Sequence, residues 1–285
     1  MTSALNKLSD GTLELTITVP WSEISKQYED VVASIVSKSE VPGFRKGKAP
    51  RKLVEEKVDK NQAYEEVLKE LIPKIYSQAV SEQKIRPIVT PKIELTEASE
   101  GKDWIIRALT CEKPAVVLGD YKKTVGEMKA AKHKKIWVPG KEPQESDKEK
   151  ETKPTLDEIL KAVLDSVTVT IPSLLTEHEV NRLLSDLIDQ TKKLGLTVEQ
   201  YLASTNRTAD GIRHEYEQQS KRTLTLEFAL EDIADKEGIF VSDDDIATVI
   251  KTAKSDDERK TLENQRYYVA SILRRQKTID YLASL

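Results

Sequence analysis

Three positive side chains and one aromatic ring fall within six residues in Gly43-Phe44-Arg45-Lys46-Gly47-Lys48, which Pro42 precedes and Ala49-Pro50 follow. The glycines free the backbone to make a tight tip. Arginine contacts phosphate or carboxylate in bidentate fashion, and lysine adds a point charge. An exposed phenylalanine calls for an apolar partner. Such a tip suits a site where an RNA backbone meets a protein pocket. A solvated basic loop with Phe44 folded back as an anchor uses the same residues, and the residues alone leave both readings open. A phosphate loop is excluded. It needs four residues between its glycines and a hydroxyl after the lysine. Here three intervene, and Ala49 follows Lys48.

Other reactive constellations are missing from the sequence. His133, His178 and His214 are scattered, without the spacing of a zinc site. There is no nucleophile elbow and no dinucleotide fingerprint. The carboxylates lie mostly beside lysines on polar helix faces and read as solvated. Cys111 is the one cysteine, so no intrachain disulfide forms, which fits a reducing compartment. The expectation is a protein without cofactor, metal or catalytic residues.

The elements that must position the loop follow from periodicity. Thr12–Val19 alternates apolar and polar residues, as in a strand with one buried face. Pro20 stops it. Ser22 then caps a helix to about Lys38, with Ile24, Tyr28, Val31, Val32 and Ile35 on one face. Two prolines and two glycines make 41–50 a loop. A helix is predicted over about 62–83 with a kink at Pro73. Ile88–Leu95 and Trp104–Cys111 read as two more strands. From Pro154 the chain is helical almost to its end. Thr155, Thr197 and Ser242 are placed as N-caps, Gly195 and Gly238 as stops, and Glu263–Leu285 as the last helix. The fold class is α+β. A small α/β domain is expected over 1–112, a charged linker over 113–153 and a helical domain over 154–285.

The chain has 285 residues, of which 33% are charged and 5% aromatic, and its formal net charge is −4. Its apolar share of 38% lies below the roughly 45–50% usual for globular chains. An extended, surface-rich helical protein fits that balance. The net charge argues against a wholly basic nucleic-acid binder. No stretch is apolar enough for a signal peptide or a membrane span, so the cytoplasm is expected and a membrane is not.

The loop resembles the ribosome-binding signature of the trigger factor family, Gly-Phe-Arg-x-Gly-Lys-x-Pro, at every fixed position. The elements around it follow the order of that family's N-terminal domain. Pro172 to Arg182, Gly195-Leu196-Thr197-Val198-Glu199-Gln200-Tyr201-Leu202 and Gly238-Ile239-Phe240-Val241-Ser242-Asp243 resemble its C-terminal domain. The resemblance implies an ATP-independent chaperone with protruding helical arms. Gly43, Phe44, Arg45, Lys46, Gly47 and Lys48 would meet ribosomal RNA and protein beside the peptide exit. Nascent and unfolded chains would be held on helical apolar patches. The alternatives kept are a free cytosolic holdase and an assembly factor whose basic loop binds RNA or an acidic protein. A weak homodimer is left open.

The family usually inserts a prolyl isomerase domain of about 100 residues between these halves. Met128–Thr155 offers only a charged segment with Trp137 as its single aromatic, so isomerase activity is not expected. Client contact is expected on the last helix at Tyr267, Tyr268 and Ile272. With Leu273 these cover more than one face, too broad a set for one packed stripe. Packing within the helical body is the competing reading, more so for Ile272 than for Tyr267.

Overall fold

The computed structural model describes residues 1–38, 60–133, 154–253 and 255–285. They divide into two compact units, Met1–Lys113 with Pro172–Leu175, and Pro114–Ile171 with Thr176–Leu285.

The first unit is a four-stranded antiparallel sheet in the order β1-β2-β4-β3, with two helices. β1 is Thr2–Lys7, β2 Thr12–Val19, α1 Trp21–Lys38, α2 Lys60–Gln83, β3 Lys92–Glu97 and β4 Trp104–Cys111. The alternation of β2 does what it predicts, since Leu13, Leu15, Ile17 and Val19 are buried while Glu14, Thr16 and Thr18 are partly open. Ile17 and Val19 join Trp104 and Ile106 of β4 in one core with Ile24 and Val31 of α1. α2 adds Val67, Leu71, Ile75 and Ala79, spaced four residues apart on one helical face. Burying each such large side chain contributes about 1.5–3 kcal/mol. On the opposite face of the sheet Arg107 sits between Glu94 and Glu14, its Nη1 3.3 Å from Glu14.

Two details depart from the sequence reading. β1 has no strong strand signature, and pairing with β2 creates it. Asp10-Gly11 turns the hairpin, with Gly11 at φ 88°, in the left-handed region that glycine tolerates. The strand expected over 88–95 begins only at Lys92, because Pro87 and Pro91 have no N–H to give a ladder. The helix expected through Pro73 does continue to Gln83.

The second unit opens with a two-stranded ribbon, β5 (Val116–Leu118) against β6 (Val167–Val169). Between these strands in sequence lie α3 (Tyr121–His133) and α4 (Leu156–Ser166). After them come α5 (Ser173–Lys193), α6 (Val198–Thr205), α7 (Ala209–Lys236), α8 (Asp243–Lys251), α9 (Asp256–Asn264) and α10 (Arg266–Ser284). The span 113–153, expected as linker, therefore opens with ordered elements. Tyr121 and Val125 of α3 are core residues beside Ile159 and Val163 of α4, Leu230 and Ile233 of α7 and Leu282 of α10. The caps predicted at Thr197 and Ser242 form, whereas Ser22, expected to cap α1, lies inside that helix, which starts at Trp21 after Pro20. Thr197 N–H donates to Gln200 at 2.9 Å, and Ser242 N–H to Asp245 at 2.8 Å. Gly195 and Gly238 have φ of 71° and 64° and close Schellman turns, in which Leu196 N–H reaches Thr191 O and Ile239 N–H reaches Ala234 O. The expected last helix forms as α10, Arg266–Ser284, and a short helix precedes it. Ser255 caps α9, which ends at Asn264, and α10 begins at Arg266.

One carboxylate joins three helices of this unit. Glu237, at the C-cap of α7, accepts from Tyr121 Oη and Tyr281 Oη at 2.6 Å each and from Lys122 Nζ at 2.9 Å. Lys236 Nζ lies 5.4 Å from the centre of the Tyr121 ring, and Lys122 Nζ 5.8 Å from that of Tyr281. Farther along α3, Lys129 Nζ caps the end of α10 by donating to Ala283 O at 2.6 Å. The hydrogen bonds from Tyr121, Tyr281 and Lys122 hold the Glu237 carboxyl down from 4.5 to about 2.

Two predictions follow from this packing. A Cβ on Gly119 would lie 2.3 Å from the carbonyl oxygen of Ser166, whose acceptor bond from Gly119 N–H is 3.0 Å. Gly119→Ala should therefore shift or break the ribbon and lower the thermal midpoint, read by circular dichroism. Because the folded pKa of Glu237 lies below its unfolded value, its stabilisation is complete above about pH 4.5 and fades as pH falls toward 2. Glu237→Gln should lower the melting temperature at pH 7 by about 2–4 °C and flatten its fall between pH 5 and pH 2.5, about the window that linkage sets. Parallel acid profiles of variant and wild type would refute this assignment.

Candidate functional site

The basic loop at Gly43, Phe44, Arg45, Lys46, Gly47 and Lys48 lies outside the described residues, which omit 39–59. The other residues expected to act lie on α10 and are described fully. Tyr267 is 94% exposed, Tyr268 63% and Ile272 48%. In the same helix Val269, Thr278 and Leu282 are buried. All three predicted residues thus face away from the packed interior.

Helical phase explains the pattern. At 100° per residue, Ser271, Arg275, Thr278 and Leu282 share one strip with Tyr267. Its C-terminal end, at Thr278 and Leu282, is buried. A groove of about 240 Å³ runs between α7 and α10, lined by Leu230, Ala234, Ser271, Arg274 and Thr278. Beyond it the strip emerges at Tyr267 and Tyr268, which line a shallow concavity with Asn264 and Gln265. Tyrosine suits such a surface, since its ring is apolar and its hydroxyl remains wettable.

Sequence reasoning missed exposed apolar residues in this unit, Phe240 and Leu194 foremost among them. Phe240 is 77% exposed and Leu194 72%. Leu194 continues the apolar period of α5 but lies just past its end, beside left-handed Gly195, while Phe240 follows left-handed Gly238 by two residues, outside any helical stripe. The Phe240 segment is fixed from behind. Arg274 Nε donates to Ile239 O at 2.8 Å, and Lys277 Nζ lies 3.5 Å from Phe240 O. The pairing of an αL glycine with the next N-cap is the signal that could have located such elbows.

The cations of α10 do not face solvent alone. Arg266 lies 2.6 Å from Asp243, Arg274 2.5 Å from Asp235 and Lys277 2.6 Å from Asp245, while Arg275 pairs with Glu227. The Lys277 ammonium and the Ser242 N–H and hydroxyl hold the Asp245 carboxyl at about 2.

Reactive chemistry finds no support in this geometry. Burial pushes the Cys111 thiol up to about 11, so it stays protonated and unreactive. Among the described residues no cluster of three or more His, Cys, Asp or Glu side chains is placed to hold a metal. Among them, too, no helix is long and apolar enough to cross a membrane.

Comparison with known proteins agrees with both halves of the chain. Residues 1–138 match the family described as "Bacterial trigger factor protein (TF)", and residues 140–284 match "Bacterial trigger factor protein (TF) C-terminus". Only the N- and C-terminal domains of the family are found, and no isomerase domain is detected between them. A trigger factor of Staphylococcus epidermidis is 35% identical over 122 residues, 43% of this chain and 28% of the relative's length. The matched stretch thus spans well under half of that protein. A trigger factor of Carboxydothermus hydrogenoformans is 28% identical over an alignment of 414 positions, covering 96% of this chain and 97% of the relative. A solved structure, from work on promiscuous substrate recognition in folding and assembly by the trigger factor chaperone, superimposes with a TM-score of 0.66. It covers 100% of this chain and 99% of its own at 13% identity, a likeness of fold. The two family matches together account for nearly every residue, and the chain belongs to the bacterial trigger factor family of chaperones.

Proposed function

We propose that this chain is an ATP-independent chaperone that docks on the ribosome near the peptide exit and holds nascent or unfolded chains on its helical unit. The observation that carries the reading is the exposed aromatic strip at Tyr267 and Tyr268 on a helix otherwise anchored by packing and ion pairs. Exposing two adjacent tyrosines, with Ile272 and Phe240, leaves apolar area unburied. Contact with apolar client side chains recovers it, at about 25 cal/mol per Å². Several weak contacts on one body add through effective concentration. Weakness at each contact permits release without nucleotide.

Docking is assigned to residues 1–112 and client binding to 154–285, with 113–153 in the place of the family's isomerase domain. In the docking loop Phe44 would enter an apolar pocket, while Arg45 and Lys46 meet RNA phosphate and acidic side chains. Docking should then weaken with salt. The chain is read as without prolyl isomerase activity, because the two family matches run to residues 138 and from 140, and as cytoplasmic, in keeping with a ribosome-docking role.

Ribosomes should pellet with the wild type and not with the Phe44→Ala, Arg45→Ala, Lys46→Ala triple variant; equal co-sedimentation would defeat the docking assignment. The wild type should suppress aggregation of a refolding client without ATP. Tyr267→Ser with Tyr268→Ser should weaken suppression severalfold while leaving ribosome pelleting unchanged. Prolyl isomerisation of a test peptide should keep its uncatalysed timescale of tens to hundreds of seconds.

A further inference from the structure

We propose that Tyr64 is a positioning residue for ribosome docking: its ring packs between Tyr28 of α1 and Trp104 of β4, and so ties both helices that flank the basic loop to the sheet. This rests on reading Gly43 to Lys48 as the docking loop.

α1 ends at Lys38 and α2 begins at Lys60, so the docking residues lie between these two helices in the chain. They are presented only as well as the two helices are held. α1 is anchored close to its end, with Val31 and Val32 buried and Ile35 packed against the same core as Ile24. α2 is anchored less well where it starts. Its first three residues, Lys60, Asn61 and Gln62, are exposed, and Ala63 is buried but small. Tyr64 is the first large side chain of α2 to reach the core. Its ring centre lies 4.8 Å from that of Tyr28 and 5.6 Å from that of Trp104, tilted by 35° and 55°. Aromatic pairs attract at such separations and tilts. These are the two ring–ring contacts among the described residues, and Tyr64 takes part in both.

The sheet side of this contact is fixed. Trp104 is buried, and its indole N–H donates to Ser99 O at 3.3 Å. Asp103, in the same β3–β4 turn, accepts from Trp21 N–H at 2.9 Å where α1 starts. Lys60 Nζ lies 3.5 Å from Glu100 of that turn, but both side chains are exposed, and such a pair contributes little. Holding the first turn of α2 therefore falls to the Tyr64 ring. Without it that turn opens in part of the population. A protein that is competent to bind only part of the time binds more weakly by that fraction. The ring makes both contacts and the hydroxyl neither, so phenylalanine should serve in its place.

The test titrates the full chain against ribosomes by co-sedimentation at several salt concentrations, with melting followed by circular dichroism. Tyr64→Leu should raise the dissociation constant about three- to tenfold. Its salt slope should match the wild type, because the loop keeps its cations. Tyr64→Phe should dock as the wild type does. Ile75→Val, in the same core farther along α2, should lower the melting temperature and leave docking untouched, which separates positioning from stability. Tyr28→Leu removes one of the two ring contacts and should weaken docking by a smaller factor; it serves where Tyr64→Leu does not fold. Wild-type docking by Tyr64→Leu or Tyr28→Leu, equal weakening by Tyr64→Phe, or a loss in Ile75→Val as large as that in Tyr64→Leu would each overturn the proposal. A wild type that does not pellet with ribosomes, or a loop triple variant that pellets as well as the wild type, would overturn the docking reading itself, and this inference with it.

Discussion

Glu237 is the point on which the helical unit depends. It ends α7, yet its carboxylate is claimed by the first residues of α3 and by Tyr281 near the end of α10. Bonds to an ionised acceptor are stronger than neutral ones, and these converge from three elements far apart in sequence. The left-handed Gly238 next to it turns the chain toward α8. A single position therefore ends one helix, orients two more and launches a fourth. Lys129 repeats the idea eight residues into α3 by capping the last carbonyls of α10. With α10 held at this end, its N-terminal half can carry exposed rings without being drawn into the core.

The two units achieve stability in different ways. In the first, hydrophobic burial dominates. β2 and β4 place large side chains on one face, and α2 covers them with a seam of residues four apart. The open face carries threonines and the Arg107 ion cluster, which favours water over association. In the second, the core is smaller relative to the helices it holds, and polar ties supplement it. Capping boxes at Thr197 and Ser242 and pairs at Arg266, Arg274 and Lys277 fix helices whose apolar faces are only partly covered. Surface pairs of this kind contribute little each to stability. Their larger effect is positional, since they tie the helix that displays the tyrosines to α7 and α8.

Family membership and the shortened middle of the chain fit together physically. α3 is anchored into the core through Tyr121 and Val125 before the segment that follows it, and α4 begins the next packed element after Thr155. The body of the second unit is thus built from residues on both sides of that segment. Its core is formed by α3, α4, α7 and α10.

Local patterning made much of this legible. The period-2 pattern of Thr12–Val19, the helical stripe after Trp21, the N-caps at Thr155, Thr197 and Ser242 and the glycine stops at 195 and 238 are local signals, and each appears where its residue chemistry places it. Some exposure among Tyr267, Tyr268 and Ile272 was foreshadowed, because they spread too widely around a helix to fit one buried face, but Ile272 was the one read more toward packing and it too is exposed. Long-range relations were not legible. β1 exists because β2 offers it a ladder, and no propensity in Thr2–Lys7 announces it. Phe240 escaped because elbows have no period, and the exposure of Leu194 was hidden because its apolar period runs on past the end of α5. The convergence on Glu237 and the ion pairs of α10 were hidden for one reason: both need partners from other helices. By itself, the sequence determined which segments are helix or strand and which family motifs they carry. Only the tertiary structure decided which charges cancel and which rings remain outside, because cancellation and exposure are properties of what folding brings near.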